Sequence, residues 1–263
     1  MSPLKLCLPK TGNVSQAFCQ SVLPDDKQYV MRPPHGCPIT PSKTYLLLKK
    51  PCMAFSPRHW YNTCKITLES LGLRACPNAP CIFTGVIIEG EPPIFLGLFV
   101  DDFLYFSESS KVEDAFAIKF GACFDVDFQG DINHFLGVNF KCTRDDDNHV
   151  TVHMSQQNDA LKLMKKAQQL NSPATASKPT PYRSGHPVDS VPDIDMPTNE
   201  RQHLNKLLQE CVGSFNWLSC QTCPDLATIT NIISQFNNKC SPGHIEAVKY
   251  TICYLKGTLD LGI

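Results

Sequence analysis

Two adjacent aspartates set between two apolar runs constrain this chain more than any other feature. Ile94-Phe95-Leu96-Gly97-Leu98 and Phe103-Leu104-Tyr105-Phe106 read as neighbouring strands of a β-hairpin, with Phe99-Val100-Asp101-Asp102 between them. Strand interiors disfavour Asp, and an unpaired carboxylate against apolar surface is expensive to desolvate. A pair of acids at such a tip is either a solvated polar turn or a seat for something cationic, and a divalent metal ion is the natural guest.

Four other blocks bear on that choice. Asn13-Val14-Ser15-Gln16-Ala17-Phe18, Arg32-Pro33-Pro34-His35-Gly36, Ser56-Pro57-Arg58-His59-Trp60 and Tyr254-Leu255-Lys256-Gly257-Thr258, taken with the Asp pair, resemble the copia-type retrotransposon reverse transcriptase in order and rough spacing. No single block is specific; the joint match spans nearly the whole chain. The resemblance implies a right-hand polymerase palm whose hairpin carboxylates, Asp101 and Asp102, hold two Mg²⁺ ions that clamp the attacking and leaving oxygens. It also implies a template-primer and deoxynucleotides as partners, together with other Pol domains. Phe18 would close the space of a ribose 2′-hydroxyl, and Arg58 would lie near the nucleotide. As a strand-adjacent aromatic, Phe18 also reads as core.

The chain departs from that family where the chemistry is most demanding. The family's first block begins with an Asp that bridges both metals, and here Asn13 stands there. The loss of one anion facing two dications should weaken metal binding by, on the order of, several kcal/mol. Asp25 and Asp26 lie too far along the chain to be assumed substitutes. Pro51-Cys52-Met53-Ala54-Phe55 replaces a longer family segment carrying Tyr-Gly, and Ala54 cannot allow the backbone approach a Gly permits. Cys223 occupies a position normally held by Arg before Pro-Asp. Little of the family's fingers region precedes Asn13, and the chain stops about where a ribonuclease H domain would follow. These features predict an internal piece of a polyprotein, or a decayed copy with weak or no activity.

With 263 residues, 42% of them hydrophobic, the chain can bury a core of one or two domains. A net charge of −1 supplies no global pull on nucleic acid, so binding must come from local patches, for which Lys49, Lys50, Arg58, His59 and Lys65 are one candidate. No long apolar stretch and no signal-peptide core occur, which predicts an intracellular, cytoplasmic protein with no membrane partner, or a component of a virus-like particle. The 14 cysteines are scattered and do not suggest a disulfide framework. One set, Cys220, Cys223, Cys240 and His244, has spacing that four zinc ligands could share. Cys76 and Cys81 merely flank a Pro-Asn-Ala-Pro turn.

Apolar periodicity places a helix over 57–71, a short helix over 112–120, strands over 124–128, 135–140 and 150–154, and a helix over 159–170. The stretch 171–198 is proline-rich, with Pro173, Pro179, Pro181, Pro187, Pro192 and Pro197, and reads as a linker or strap. Three amphipathic helices follow, the last starting at Ser241-Pro242 and ending at Gly257. Lys239, His244 and Lys249 on their polar faces are candidate phosphate partners. The expected architecture is α+β: partial fingers and palm over 1–170, a linker over 171–198, and a helical thumb and connection over 199–263. The expected function is an RNA-directed DNA polymerase domain, degenerate in this copy. The alternatives are a non-enzymatic nucleic-acid-binding remnant and a zinc-stabilised helical interaction module.

Overall fold

A computed structural model describes residues 8–21, 28–36, 45–50, 57–146, 150–168, 176–183, 188 and 195–263. The chain divides into two units, Met1–Ile132 with Thr143–Val150, and Asn133–Cys142 with Thr151–Ile263. That division differs from the sequence expectation of a boundary in 171–198, because the segment from 151 to 168 groups with the later helices. The segments 51–56, 25–26 and most of 171–198 lie outside the described residues.

The first unit is built on β1 (Lys10–Val14), β4 (Leu73–Cys76), β5 (Ala79–Gly85), β6 (Ile94–Phe99), β7 (Asp102–Ser107) and β8 (Val126–Asp131). They form one sheet in the order β4-β5-β6-β7-β1-β8. Every pair of neighbours is antiparallel. A short α1 (Ala17–Gln20) follows β1, and β2 (Val30–Met31) pairs with β3 (Leu46–Leu47). The β4–β5 hairpin escapes the apolar pattern because its strands carry Arg74, Cys76, Ala79 and Cys81 rather than β-branched alternation.

Two helices, α2 (Pro57–Ser70) and α3 (Ser110–Gly121), supply the opposing layer. In α2, Trp60, Cys64 and Leu68 recur every four residues and are buried; in α3 the same spacing buries Val112, Phe116 and Phe120. They join Val14, Phe83, Leu96, Leu98, Phe103 and Tyr105 in one core. Phe103 is its hub, with rings of Phe116, Phe120 and Phe128 edge-on to it at centroid distances of 6.4, 5.4 and 5.9 Å. A Cβ on Gly12 would lie 2.3 Å from the Phe103 ring, so β1 needs glycine there for the hub to seat. Phe124 is not part of a strand: it is buried before β8 and edge-on to Trp60 at 5.1 Å.

Buried Glu113 of α3 closes the base of the sheet. Its carboxylate accepts from the Ser107 amide at 3.1 Å and lies 3.0 Å from Lys10 Nζ. Burial alone would lower the Lys10 pKa, but the hydrogen bond and charge of Glu113 outweigh it and leave that pKa above the ordinary lysine value.

β9 (His134–Phe135), β10 (Val138–Arg144) and β11 (Val150–Ser155), most of whose residues belong to the second unit, form a small sheet with β10 central. The expected single strand over 135–140 is a hairpin instead. Leu136 and Gly137 take φ values of 48° and 82°, and Phe135 pairs with Val138 across them. Leu-Gly lacks the Asn-Gly or Asp-Gly composition that signals such a turn. The helices are α4 (Gln157–Gln168), α5 (Thr198–Gln221), α6 (Ala227–Ser234), preceded by a 3₁₀ turn at Pro224–Leu226, and α7 (Pro242–Gly257). Leu208, Phe215, Ile229, Ile233, Val248 and Ile252 share one core, as their spacing predicts. Residues 176–183 lie along α7 as a strap: Thr251 Oγ1 donates to the Pro181 carbonyl at 3.0 Å, and the Lys178 amide donates to the Cys253 carbonyl at 3.3 Å.

Candidate functional site

The paired acids fall where their flanking runs place them. β6 and β7 pair up to Phe99 and Asp102, leaving Val100 and Asp101 as a two-residue turn. Val100 has φ 58°, a left-handed conformation that a β-branched residue adopts only under constraint, at a cost of about 1–3 kcal/mol. The constraint is visible. The Trp60 indole Nε1 donates to the Val100 carbonyl, and the Val14 amide donates to the Asp101 carbonyl at 2.7 Å. A buried aromatic of α2 and the end of β1 thus hold the turn from both sides.

β1 lies between β7 and β8, which brings Asn13 opposite Asp102 on one side and Asp127 on the other. Directly opposed residues project to the same face of a sheet. Among the described residues that face is partly open: Phe95 and Phe99 on it are 40% and 56% exposed. The Asn13 Nδ2 donates to Asp102 Oδ1 at 2.8 Å. Asn13 and Asp102, far apart in the chain, therefore meet through strand register. Asp127 was not foreseen as a neighbour. The alternation Val126-Asp127-Phe128 marks it as solvent-facing, but nothing local says which strand lies beside it.

The other candidate residues are placed less closely. After β1, Gln16 takes φ 48° and turns the chain into α1, where Phe18 is half-buried against the core. Gln20 ties this turn to the start of β8, accepting from the Asp125 amide at 2.8 Å and donating to the Asp125 carbonyl at 3.1 Å. Arg58 is exposed in the first turn of α2, and His59 meets Tyr29 edge-on at 6.2 Å. Lys49 and Lys50 are exposed, whereas Lys65 is turned toward Glu69 at 3.8 Å.

Among the described residues no group of three His, Cys, Asp or Glu side chains is placed to hold a metal ion. Asp101 and Asp102 are carboxylates, the donor type a hard cation takes, and Asp102 sits beside the Asn13 amide. Asn13 brings a neutral amide, not a third carboxylate, to Asp102. The zinc-like set is not assembled, and its members have other roles. Cys220 is exposed near Asn216, Cys223 contacts the Thr222 hydroxyl, and Cys240 is buried with its thiol toward the Ser241 carbonyl, where burial pushes its pKa up to about 11. His244 is buried in the first turn of α7, where its Nδ1 accepts from the Ser241 amide at 3.0 Å and its ring stacks on Phe236 at 4.2 Å. It is a capping residue.

Burial lowers the His244 pKa below 6.5, only partly opposed by the Val188 backbone. The folded state therefore binds this proton less readily than the unfolded chain does. Its contribution to stability is full above about pH 6.5 and is lost as pH falls through the lowered folded value. Melting temperatures of the wild-type chain and His244→Gln, measured from pH 7.5 to 5, are expected to converge on acidification. A constant difference between them would show that His244 carries no such linkage.

Residues 11–181 match the family model described as reverse transcriptase (RNA-dependent DNA polymerase). The Retrovirus-related Pol polyprotein from transposon RE2 of Arabidopsis thaliana is 27% identical over 255 residues, covering 95% of this chain and 16% of that relative. The corresponding polyprotein from transposon RE1 of the same plant is 25% identical over the same share of each. That from transposon TNT 1-94 of Nicotiana tabacum is 24% identical over 204 residues, 77% of this chain and 15% of the relative. The chain thus spans about one-sixth of the length of these relatives. No solved structure matches it. A family match over most of the chain, together with an antiparallel sheet that brings the Asp pair beside the first motif block, shows that this chain belongs to the reverse transcriptase family of copia-type Pol polyproteins.

Proposed function

We propose that the first unit is the palm, with part of the fingers, of an RNA-directed DNA polymerase, that the later helices are its thumb and connection, and that this copy is impaired. The observation that supports the reading is the pairing of Asn13, from the first motif block, with Asp102 of the hairpin. On this reading the face of the sheet that carries Asn13 and Asp102 receives the primer-template and the incoming deoxynucleotide. Asp101 and Asp102 would hold the divalent ions, Mg²⁺, and Asn13 would sit at the bridging position as a neutral ligand. When bound, such ions supply the positive charge that acidifies the primer hydroxyl and neutralises the leaving pyrophosphate.

The chain's own residues do the positioning. Trp60 and Val14 fix the backbone of the turn from which Asp101 and Asp102 project, so the turn itself need not be ordered by substrate. Phe18, just beyond β1, would press on the sugar and disfavour a 2′-hydroxyl, while Arg58 would meet the triphosphate.

Asn13 differs from a bridging Asp in two ways: it brings no charge, and its amide already satisfies one oxygen of Asp102. Primer extension on an RNA template in Mg²⁺ is therefore expected to be weak or absent while primer-template binding persists. Robust processive synthesis would overturn the impairment. Absence of both binding and synthesis would overturn the polymerase reading. Binding without synthesis in any restored variant would favour a non-enzymatic nucleic-acid-binding remnant.

A further inference from the structure

The second unit contains a cavity of about 240 Å³ between α7 and the strap over 176–183 that plays no part in the polymerase reading. Its wall carries Lys178, Tyr182, Arg183, Glu246, Lys249 and Tyr250. Glu246 is the one acid among the described residues that line it, and Lys249 Nζ pairs with it at 2.6 Å. Lys178 and Arg183 thus remain as excess positive charge at the rim. The Lys178 ammonium lies 5.5 Å from the centroid of the Tyr250 ring. Both tyrosine rings are half-buried and present in the same small cavity.

The cavity is built rather than accidental. The strap is fixed to α7 at two points, through Thr251 and through the Cys253 carbonyl, so Lys178 and Arg183 of the strap are held across one groove from the Tyr250 ring of α7. Excess cations beside half-exposed aromatic faces match one ligand chemistry: an anionic backbone bearing flat π-systems. Duplex nucleic acid offers the phosphates but keeps its bases stacked out of reach.

We propose that this cavity binds single-stranded nucleic acid, with a base against Tyr250 and the adjoining phosphate on Lys178 and Arg183. It rests on the polymerase reading only for the class of partner. Stacking on an aromatic side chain is worth about 1–3 kcal/mol per base, roughly fivefold to a hundredfold in affinity.

The test uses the full chain and a fluorescein-labelled oligodeoxythymidine, with a blunt DNA duplex as the second probe. Three variants are compared with wild type: Lys178→Glu with Arg183→Glu, Tyr250→Leu, and a control of equal charge change, Lys162→Glu with Lys165→Glu on α4. Melting curves verify that each is folded. The first variant is expected to lose about tenfold or more in oligonucleotide affinity, and Tyr250→Leu about fivefold or more, with the control within about twofold of wild type. Duplex affinity should follow the control. Equal losses in pocket and control variants, no loss in the pocket variants, or no oligonucleotide binding by wild type would each overturn the proposal. Duplex binding that persists while the pocket variants bind oligonucleotide normally would sink this proposal alone. Pocket-dependent oligonucleotide binding without duplex binding would leave it standing and sink the polymerase reading.

Discussion

Asn13→Asp is expected to destabilise the metal-free chain and to raise its affinity for Mg²⁺, two effects of opposite sign from one atom exchange. Without metal, the variant loses the Asn13 Nδ2 bond to Asp102 and puts a carboxylate between Asp102 and Asp127, its neighbours on either strand. Like charges opposed across a sheet repel, and the lost hydrogen bond to a charged group adds to that, so a penalty of about 1–3 kcal/mol is expected. At the proposed metal site, the new anion would join Asp101 and Asp102 as a third carboxylate. Binding should tighten by, on the order of, several kcal/mol, reaching a hundredfold or more in metal affinity. Melting curves with and without millimolar Mg²⁺ test both signs, and primer extension under the same conditions reads the consequence. A variant that melts like wild type in both conditions would show that Asn13 does not face the metal position. Synthesis by the wild-type chain equal to that of the variant would show that the missing charge is dispensable.

Trp60→Ala should be the most damaging single change in the first unit. Trp60 is 1% exposed, packs edge-on against Phe124 at 5.1 Å and caps the Val100 carbonyl. Truncation removes a large buried ring and leaves an acceptor unsatisfied, a loss of about 3–5 kcal/mol. For a unit of this size that is a fall in melting temperature on the order of 10 °C. Trp60→Phe separates the two causes, since it keeps much of the volume and loses only the donor; about 1–3 kcal/mol is expected. Because the strained Val100 turn depends on that donor, Val100→Gly should recover part of the Trp60→Phe loss by relieving the positive φ. Equal melting temperatures for wild type and Trp60→Phe would mean that the indole hydrogen bond contributes nothing to holding the turn.

The zinc reading illustrates how spacing misleads. Cys220, Cys223, Cys240 and His244 are separated suitably along the chain, yet α5 ends with Cys220 facing outward and His244 is turned inward to cap α7. Ligand spacing is necessary for a metal site, but the direction of each side chain is set by the helix it belongs to.

What the linear order of residues determined by itself is every element whose burial is periodic: the β6–β7 hairpin, α2, α3, α4 and the amphipathic faces of α5 to α7. Burying an apolar stripe of period two or 3.6 is a local property, and its free energy is legible from one segment. The Asp pair was legible for the same reason, since acids at an apolar hairpin tip contradict their surroundings. The β4–β5 hairpin and the Leu136-Gly137 turn were not, because their residues lack the local signals of strand and turn. Tertiary structure alone decided that β1 inserts between β7 and β8. That insertion puts Asn13 2.8 Å from Asp102 and opposite Asp127, and sets Trp60 beneath Val100. Strand order and register follow from the joint packing of Phe103, Gly12, Phe116 and Phe120 in one core. No single segment carries that information, because the energy that selects the register exists only when all of them are packed together.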